Sequence, residues 1–180
     1  MFREFRPGRI DHHNVQIALA LLILAAAVWA DRKPWMATAA GLLSGLALAI
    51  GFEALPFIAL AGVVFVGRYV FDGARAPALA AYSIAMVTGT TVLFAVGTSP
   101  AHWLTSACDA LAINSTTAVA VAGIGLAAVA MRFDGGHPGV KVAAVSAIGA
   151  TAIIIALLLA LPAPLLAEAG ATAATKLDVT

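Results

Sequence analysis

Apolar residues run along this chain in long stretches, and short polar clusters separate them. Val15–Ala30 is the first stretch, closed by Asp31-Arg32-Lys33-Pro34. Trp35–Phe71 is the second. As one helix it would reach about 55 Å at 1.5 Å per residue, nearly twice the roughly 30 Å of bilayer hydrocarbon. Glycine, a charge and proline cluster at Gly51-Phe52-Glu53-Ala54-Leu55-Pro56, which predicts a tight hairpin of two helices, Trp35–Ile50 and Leu55–Phe71. Pro77–Gly97, Ala110–Met131 and Val142–Leu161 supply the remaining spans, with Pro162 and Pro164 closing the last. Val15–Ala30 is short for a span, so its helix is expected to extend upstream through Asn14 towards Asp11. Pro34 and Pro77 stand where a first helical turn begins, the place where proline costs least. Asp72-Gly73-Ala74-Arg75 and Phe133–Gly139 read as turns. No stretch alternates with period two, which disfavours a β-barrel. The first run is not a signal peptide, because no small-residue cleavage site follows it and further apolar stretches do.

Composition strengthens this reading. The 180 residues are 62% hydrophobic and 11% charged, with a mean hydropathy of +1.00, against about half and about a quarter in soluble domains. The expected fold class is all-α, a polytopic membrane helical bundle of about six transmembrane helices, multi-pass in a plasma or inner membrane. Residues 1–14 form an extracytoplasmic motif segment, 15–161 the transmembrane domain and 162–180 a surface or mobile tail. A net charge of +1, with no basic run longer than Arg32-Lys33, argues against nucleic acid as a partner. Membrane lipid is the expected one. A single cysteine excludes a disulfide framework and any CxxC metal site.

Charge distribution sets the orientation. With the N-terminus extracytoplasmic, the inside loops carry Arg32, Lys33, Arg68, Arg75, Arg132 and Lys141, whereas the outside loops around Glu53 and between Gly97 and Ala110 carry no Lys or Arg. Arg3, Arg6 and Arg9 run against this rule, and anion binding or headgroup contact accounts for them. The same orientation gathers Asp11, His12, His13, Glu53, His102, Trp103, Cys108 and Asp109 at the outer surface.

The richest chemistry lies in Arg6-Pro7-Gly8-Arg9-Ile10-Asp11-His12-His13-Asn14-Val15-Gln16. Carboxylate and imidazole bind divalent metals or exchange protons near neutral pH, and guanidinium forks hold phosphate. Neighbouring histidines on a helix point about 100° apart, so one acts while the other packs or caps. The plain alternative makes Asp11 an N-cap with both histidines in the headgroup layer. Glu53 stands alone in the outer hairpin. It is either a candidate functional group near hydrocarbon or a solvated turn residue.

Arg9-Ile10-Asp11-His12-His13, followed directly by a membrane helix, resembles the Asp-His-His motif of membrane-embedded glycosyltransferases of the GT-C class. It is most similar to archaeal and bacterial relatives of the oligosaccharyltransferase catalytic subunit. The resemblance implies transfer of sugar from a polyprenyl-phosphate carrier at the outer membrane face, usually with a divalent cation, Mg or Mn. It implies that Asp11, His12 and His13 lie beside the metal and lipid-phosphate site, with Asp11 and His12 as metal ligands and Glu53 as a catalytic helper. Arg6 and Arg9 are placed near the carrier phosphate by their proximity to the motif. Such enzymes carry a helix before their first acidic motif, an Asp-x-Asp pair and a Trp-Trp-Asp acceptor motif. None of these occurs here, so the chain reads as the middle of such an enzyme, catalytically incomplete by itself. A small transporter or channel subunit, or a non-catalytic truncated membrane protein, are the alternatives.

The remaining features have structural readings. Gly41-Leu42-Leu43-Ser44-Gly45 is a small-xxx-small pattern that lets helices approach closely. Arg68 is expected to snorkel to the headgroups. Ser99-Pro100 reads as the cap and first position of a short surface helix, and Ser106–Asp109 as a capping box before the fifth span. Trp103 serves as an interfacial anchor, while His102 and Asp109 are within reach of the cavity expected at Asp11. His137 is expected to be solvated in its turn.

Overall fold

The computed structural model describes residues 12–72, 75–103 and 111–160, and within them the chain is helical with no strand. Six α-helices follow in order: α1 (His12–Trp29), α2 (Trp35–Ile50), α3 (Leu55–Phe71), α4 (Ala76–Gly97), α5 (Ile113–Arg132) and α6 (Pro138–Ala160). The second and third coincide with the predicted hairpin. Gly51 is extended, Phe52–Ala54 makes one 3₁₀ turn, and Pro56 sits in the first turn of α3. The first helix does extend upstream, as its short apolar run required. Four segments are long and apolar enough to cross a membrane, namely Phe52–Phe71, α4, α5 and α6. These apolar helices fit an integral membrane protein.

Two helix starts differ from the sequence-based expectation. The fifth begins at Ile113 because Ala112 is extended and its N–H is taken by Ser115 Oγ at 3.0 Å, a side chain reaching back over the first turn. Residues 104–110, including the expected capping box at Ser106–Asp109, lie outside the described residues. The sixth begins earlier than Val142, at Pro138, because His137 caps it: Gly139 N–H donates to His137 Nδ1 at 3.2 Å. His137 is therefore a cap rather than only a solvated turn residue. Ser99-Pro100 opens a single 3₁₀ turn, Pro100–His102, without a side-chain cap, and Trp103 Nε1 donates to Thr98 O at 2.9 Å.

Short connections make α1 and α2, α2 and α3, and α5 and α6 antiparallel neighbours in the chain. Packing runs α1 on α2, α2 on α4, α4 on α5 and α5 on α6, while α3 lies against α1 and more lightly against α4 and α6. The hairpin partners α2 and α3 scarcely touch. Gly41 and Gly45 explain why α2 prefers α4. A Cβ on Gly41 would collide with the Tyr82 carbonyl, and one on Gly45 would come within 2.9 Å of Thr90 N. Without those side chains the two backbones approach closely, which is how helices associate in hydrocarbon. Gly123 plays the same part between α5 and α4, where a Cβ would meet Val87 and the Ser83 carbonyl.

The distribution of size is inverted relative to a soluble protein. Alanines dominate the interior, among them Ala27, Ala37, Ala40, Ala47, Ala61 and Ala130, whereas Leu21, Val63, Val96, Ile153 and Leu157 face outward. So much exposed apolar surface would be an aggregation hazard in water, and it is ordinary where the solvent is lipid. α6 lies furthest out, with 6% of its apolar window buried. Among the larger interior side chains, Phe65 stacks on Tyr82 at 4.5 Å and joins α3 to α4.

Candidate functional site

The helix ends hold the polar chemistry. At one end, the carboxylate of Asp31 is bracketed by Arg68 at 3.1 Å and Arg75 at 2.9 Å, and Arg75 also reaches Asp72 at 3.2 Å. Arg68 donates to Ala27 O in the last turn of α1 at 2.7 Å. Tyr69 Oη donates to Val129 O in the last turn of α5 at 2.9 Å, and Lys141 Nζ donates to Tyr69 O in the last turn of α3 at 3.2 Å. The last carbonyls of a helix lack intrahelical donors and carry its negative dipole end. The C-termini of α1, α3 and α5 are each met by a donor from another helix, two of these donors cationic, and at α5 the Tyr69 hydroxyl shares Val129 O with the Phe133 N–H.

Two expectations change here. Arg68 does not simply snorkel, because it holds α1 to α3 through Asp31 and Ala27. Lys141 is not a loop charge. It is 2% exposed, in the first turn of α6, with its ammonium 4.4 Å from the centre of the Tyr69 ring.

The opposite end carries two of the predicted site residues, His13 and Glu53. Arg6, Arg9 and Asp11 lie outside the described residues, as does the side chain of His12. His13 is placed, and its Nδ1 donates to Glu53 Oε2 at 2.6 Å across forty positions of sequence. Both side chains are about half exposed, at 44% and 49%. A pair this exposed contributes about 0–1 kcal/mol. Stability is thus a poor reason for the contact, and its main effect is to fix the start of α1 beside the hairpin between α2 and α3.

Local sequence explains how Glu53 gets there. The 3₁₀ turn directs Ala54 inward, 1% exposed, and leaves Glu53 outside it. Gln16, one helical turn after His13, is 4% exposed and lies on the same side of α1. Its Nε2 donates to Ala47 O at 3.2 Å and to Gly51 O at 2.9 Å, closing the C-terminal end of α2. A cavity of about 120 Å³ opens between His13, Gln16, Ile17, Glu53, Ala54 and Phe57. His102 is not among its lining residues.

The structure therefore brings together two of the residues singled out by sequence, His13 and Glu53. It adds Gln16, which sequence reasoning passed over. The signal for Gln16 was present, since it is a polar residue three positions after His13 at the start of an apolar run. Among the described residues no three His, Cys, Asp or Glu side chains gather as metal ligands. His13 and Glu53 supply two donors of suitable chemistry, imidazole and carboxylate. Compared with protein-family models, with curated proteins and with solved structures, the chain shows no match.

Proposed function

We propose that this chain is a multi-pass protein of a plasma or inner membrane, with its N-terminus outside, that binds a polyprenyl-phosphate sugar donor at the outer face. In this reading it resembles part of a GT-C glycosyltransferase. The observation that supports the reading is the His13–Glu53 hydrogen bond, which joins the last residue of the motif to the hairpin between α2 and α3. Asp11 and His12 are the proposed divalent-cation ligands, with Arg6 and Arg9 beside the carrier phosphate. Cation and guanidinium would neutralise that phosphate, the group that leaves in glycosyl transfer. The orientation is supported by the cations: every Lys and Arg among the described residues lies on the Asp31 side of the helices and none beside Glu53.

The test is equilibrium binding of a polyprenyl phosphate to the full chain in phosphatidylcholine vesicles, with and without Mg²⁺. Replacing both His12 and His13 by alanine should weaken binding about tenfold or more, the equivalent of one lost charge-assisted interaction. Unchanged affinity would remove the lipid-phosphate site. A small transporter or channel subunit is the second reading. It is favoured by the hydroxyl oxygens of Ser83, Thr90 and Thr116, buried within α4 and α5 without hydrogen-bond partners, since unpaired polar groups at membrane depth often mark a solute path. Loss of solute flux in Thr90→Val, with polyprenyl-phosphate binding absent from the parent, would favour it.

A further inference from the structure

The end of the bundle that holds the ion pairs also holds exposed aromatic side chains. Trp29 closes α1 and Trp35 opens α2, at 49% and 60% exposure, and Lys33 Nζ stands 5.8 Å from the centre of the Trp29 ring. Tryptophan beside lysine at helix ends marks the headgroup layer of a bilayer. Two hollows open here, and Trp35 lines both. One, of about 510 Å³, lies between the end of α1 and the starts of α2 and α4, with Asp31, Thr38 and Arg75 among its walls alongside Pro77 and Ala78. The other, of about 350 Å³, runs between α1 and α2 from Trp29 and Trp35 to Leu22 and Leu43, and its lining residues are all apolar. At 1.5 Å per residue it follows about 10 Å of helix, two-thirds of one leaflet's roughly 15 Å of hydrocarbon.

We propose that these two hollows together hold one anionic phospholipid, its phosphate in the first and an acyl chain in the second. Each hollow has the size of a small-molecule site, roughly 300–1,000 Å³, and the step from polar to apolar at Trp35 follows the step from headgroup to chain. Charge selects the headgroup. Arg32, Lys33, Arg68 and Arg75 gather at this corner with two carboxylates, Asp31 and Asp72. Both Asp31 oxygens are already spent, Oδ1 on Arg75 and Oδ2 on Arg68, so this carboxylate is no bare charge against a phosphate. Arg75 gives Nη1 to Asp31 and Nε to Asp72, while its Nη2 belongs to neither pair. Arg32 and Lys33 pair with no carboxylate among the described residues. The surplus is positive, and a phosphodiester carrying one negative charge answers it, whereas a zwitterionic lipid brings a cation of its own. Basic pockets between membrane helices take anionic headgroups for this reason. The site lies at the opposite end from His13 and Glu53, and it stands or falls independently of the sugar-donor reading.

The test uses the full chain in phosphatidylcholine nanodiscs, with Trp29 and Trp103 replaced by phenylalanine so that Trp35 is the one remaining tryptophan. Phosphatidylglycerol brominated on its acyl chains, which quenches indole fluorescence on contact, is titrated in, and brominated phosphatidylcholine gives the reference. Quenching of Trp35 should saturate, with phosphatidylglycerol preferred about fivefold or more, the worth of one cation near the surface. A chain keeping Trp103 alone, at the other end, should show no preference. Arg32→Gln combined with Lys33→Gln changes exposed residues outside the ion pairs and should abolish the preference. Ala25→Phe fills the apolar hollow from an exposed position, and Ala78→Phe fills the polar one from a part-exposed position. Each should lower phosphatidylglycerol affinity about fivefold or more. Affinity unchanged in both filling variants would mean attraction to a charged surface alone and would overturn the proposal. So would the absence of any preference at Trp35, or an equal one at Trp103.

Discussion

An ammonium group sealed inside an apolar bundle needs compensation, and Lys141 finds it in a carbonyl and a ring, both belonging to Tyr69. Neither is a full counter-charge, so the group is tolerated more than it is stabilising. Lys141→Met, which matches its length without the charge, is expected to unfold within about 1 kcal/mol of the parent, or above it, because an apolar isostere avoids the desolvation cost. Lys141→Ala should lose about 2 kcal/mol or more through the cavity it opens and the carbonyl it strips. Gln16 makes the opposite case: Ala47 O also accepts the Gly51 N–H, but Gln16 is the side chain that meets Gly51 O at the end of α2. Gln16→Leu should cost about 1–3 kcal/mol. Reversible unfolding in detergent, followed by circular dichroism, measures all three. These residues also mark the limit of what sequence conveys. Asp-His-His stood out because its residue types are rare beside an apolar run. Lys141 read as one more inside charge, since nothing local says whether a lysine will face water or a tyrosine from a helix seventy positions earlier.

Helices were the most legible level. Proline, glycine and charge mark the ends of α2 and α3, and hydrocarbon thickness forced the division between them. Starts set by side-chain bonds, Ser115 back onto Ala112 and His137 forward onto Gly139, were not legible, because alanine and histidine are weak cap signals. Partner choice was legible only in part. The Gly41–Gly45 spacing announced a close contact, but not that its partner would be α4 instead of the adjacent α3. This contact gives a paired prediction. Gly41→Ala places a methyl group against the Tyr82 backbone, which cannot swing away, and should cost about 1–3 kcal/mol. Gly62→Ala meets nothing within 4 Å and should be neutral or stabilising by up to about 1 kcal/mol through helix propensity. The same unfolding assay decides. If the two variants behaved alike, helix propensity and not close packing would govern α2.

At the scale of the whole molecule, the bundle is polarised. One end joins three helix C-termini to Arg68, Tyr69 and Lys141, with Arg75 completing the ion pairs around Asp31. The other joins the start of α1 to the hairpin through His13, Gln16 and Glu53. The first arrangement locks helices together, and the second leaves a small cavity between His13, Gln16 and Glu53. The functional proposals require these ends to lie on opposite sides of a membrane, with the cavity outside. Cysteine accessibility tests this most directly. In a background with Cys108 replaced by serine, single cysteines are placed at Glu53 and at Lys33 and exposed to a membrane-impermeant thiol reagent. The account predicts labelling at position 53 in intact cells and at position 33 only after the membrane is opened. Labelling of both positions in intact cells, or the reverse order, would contradict it.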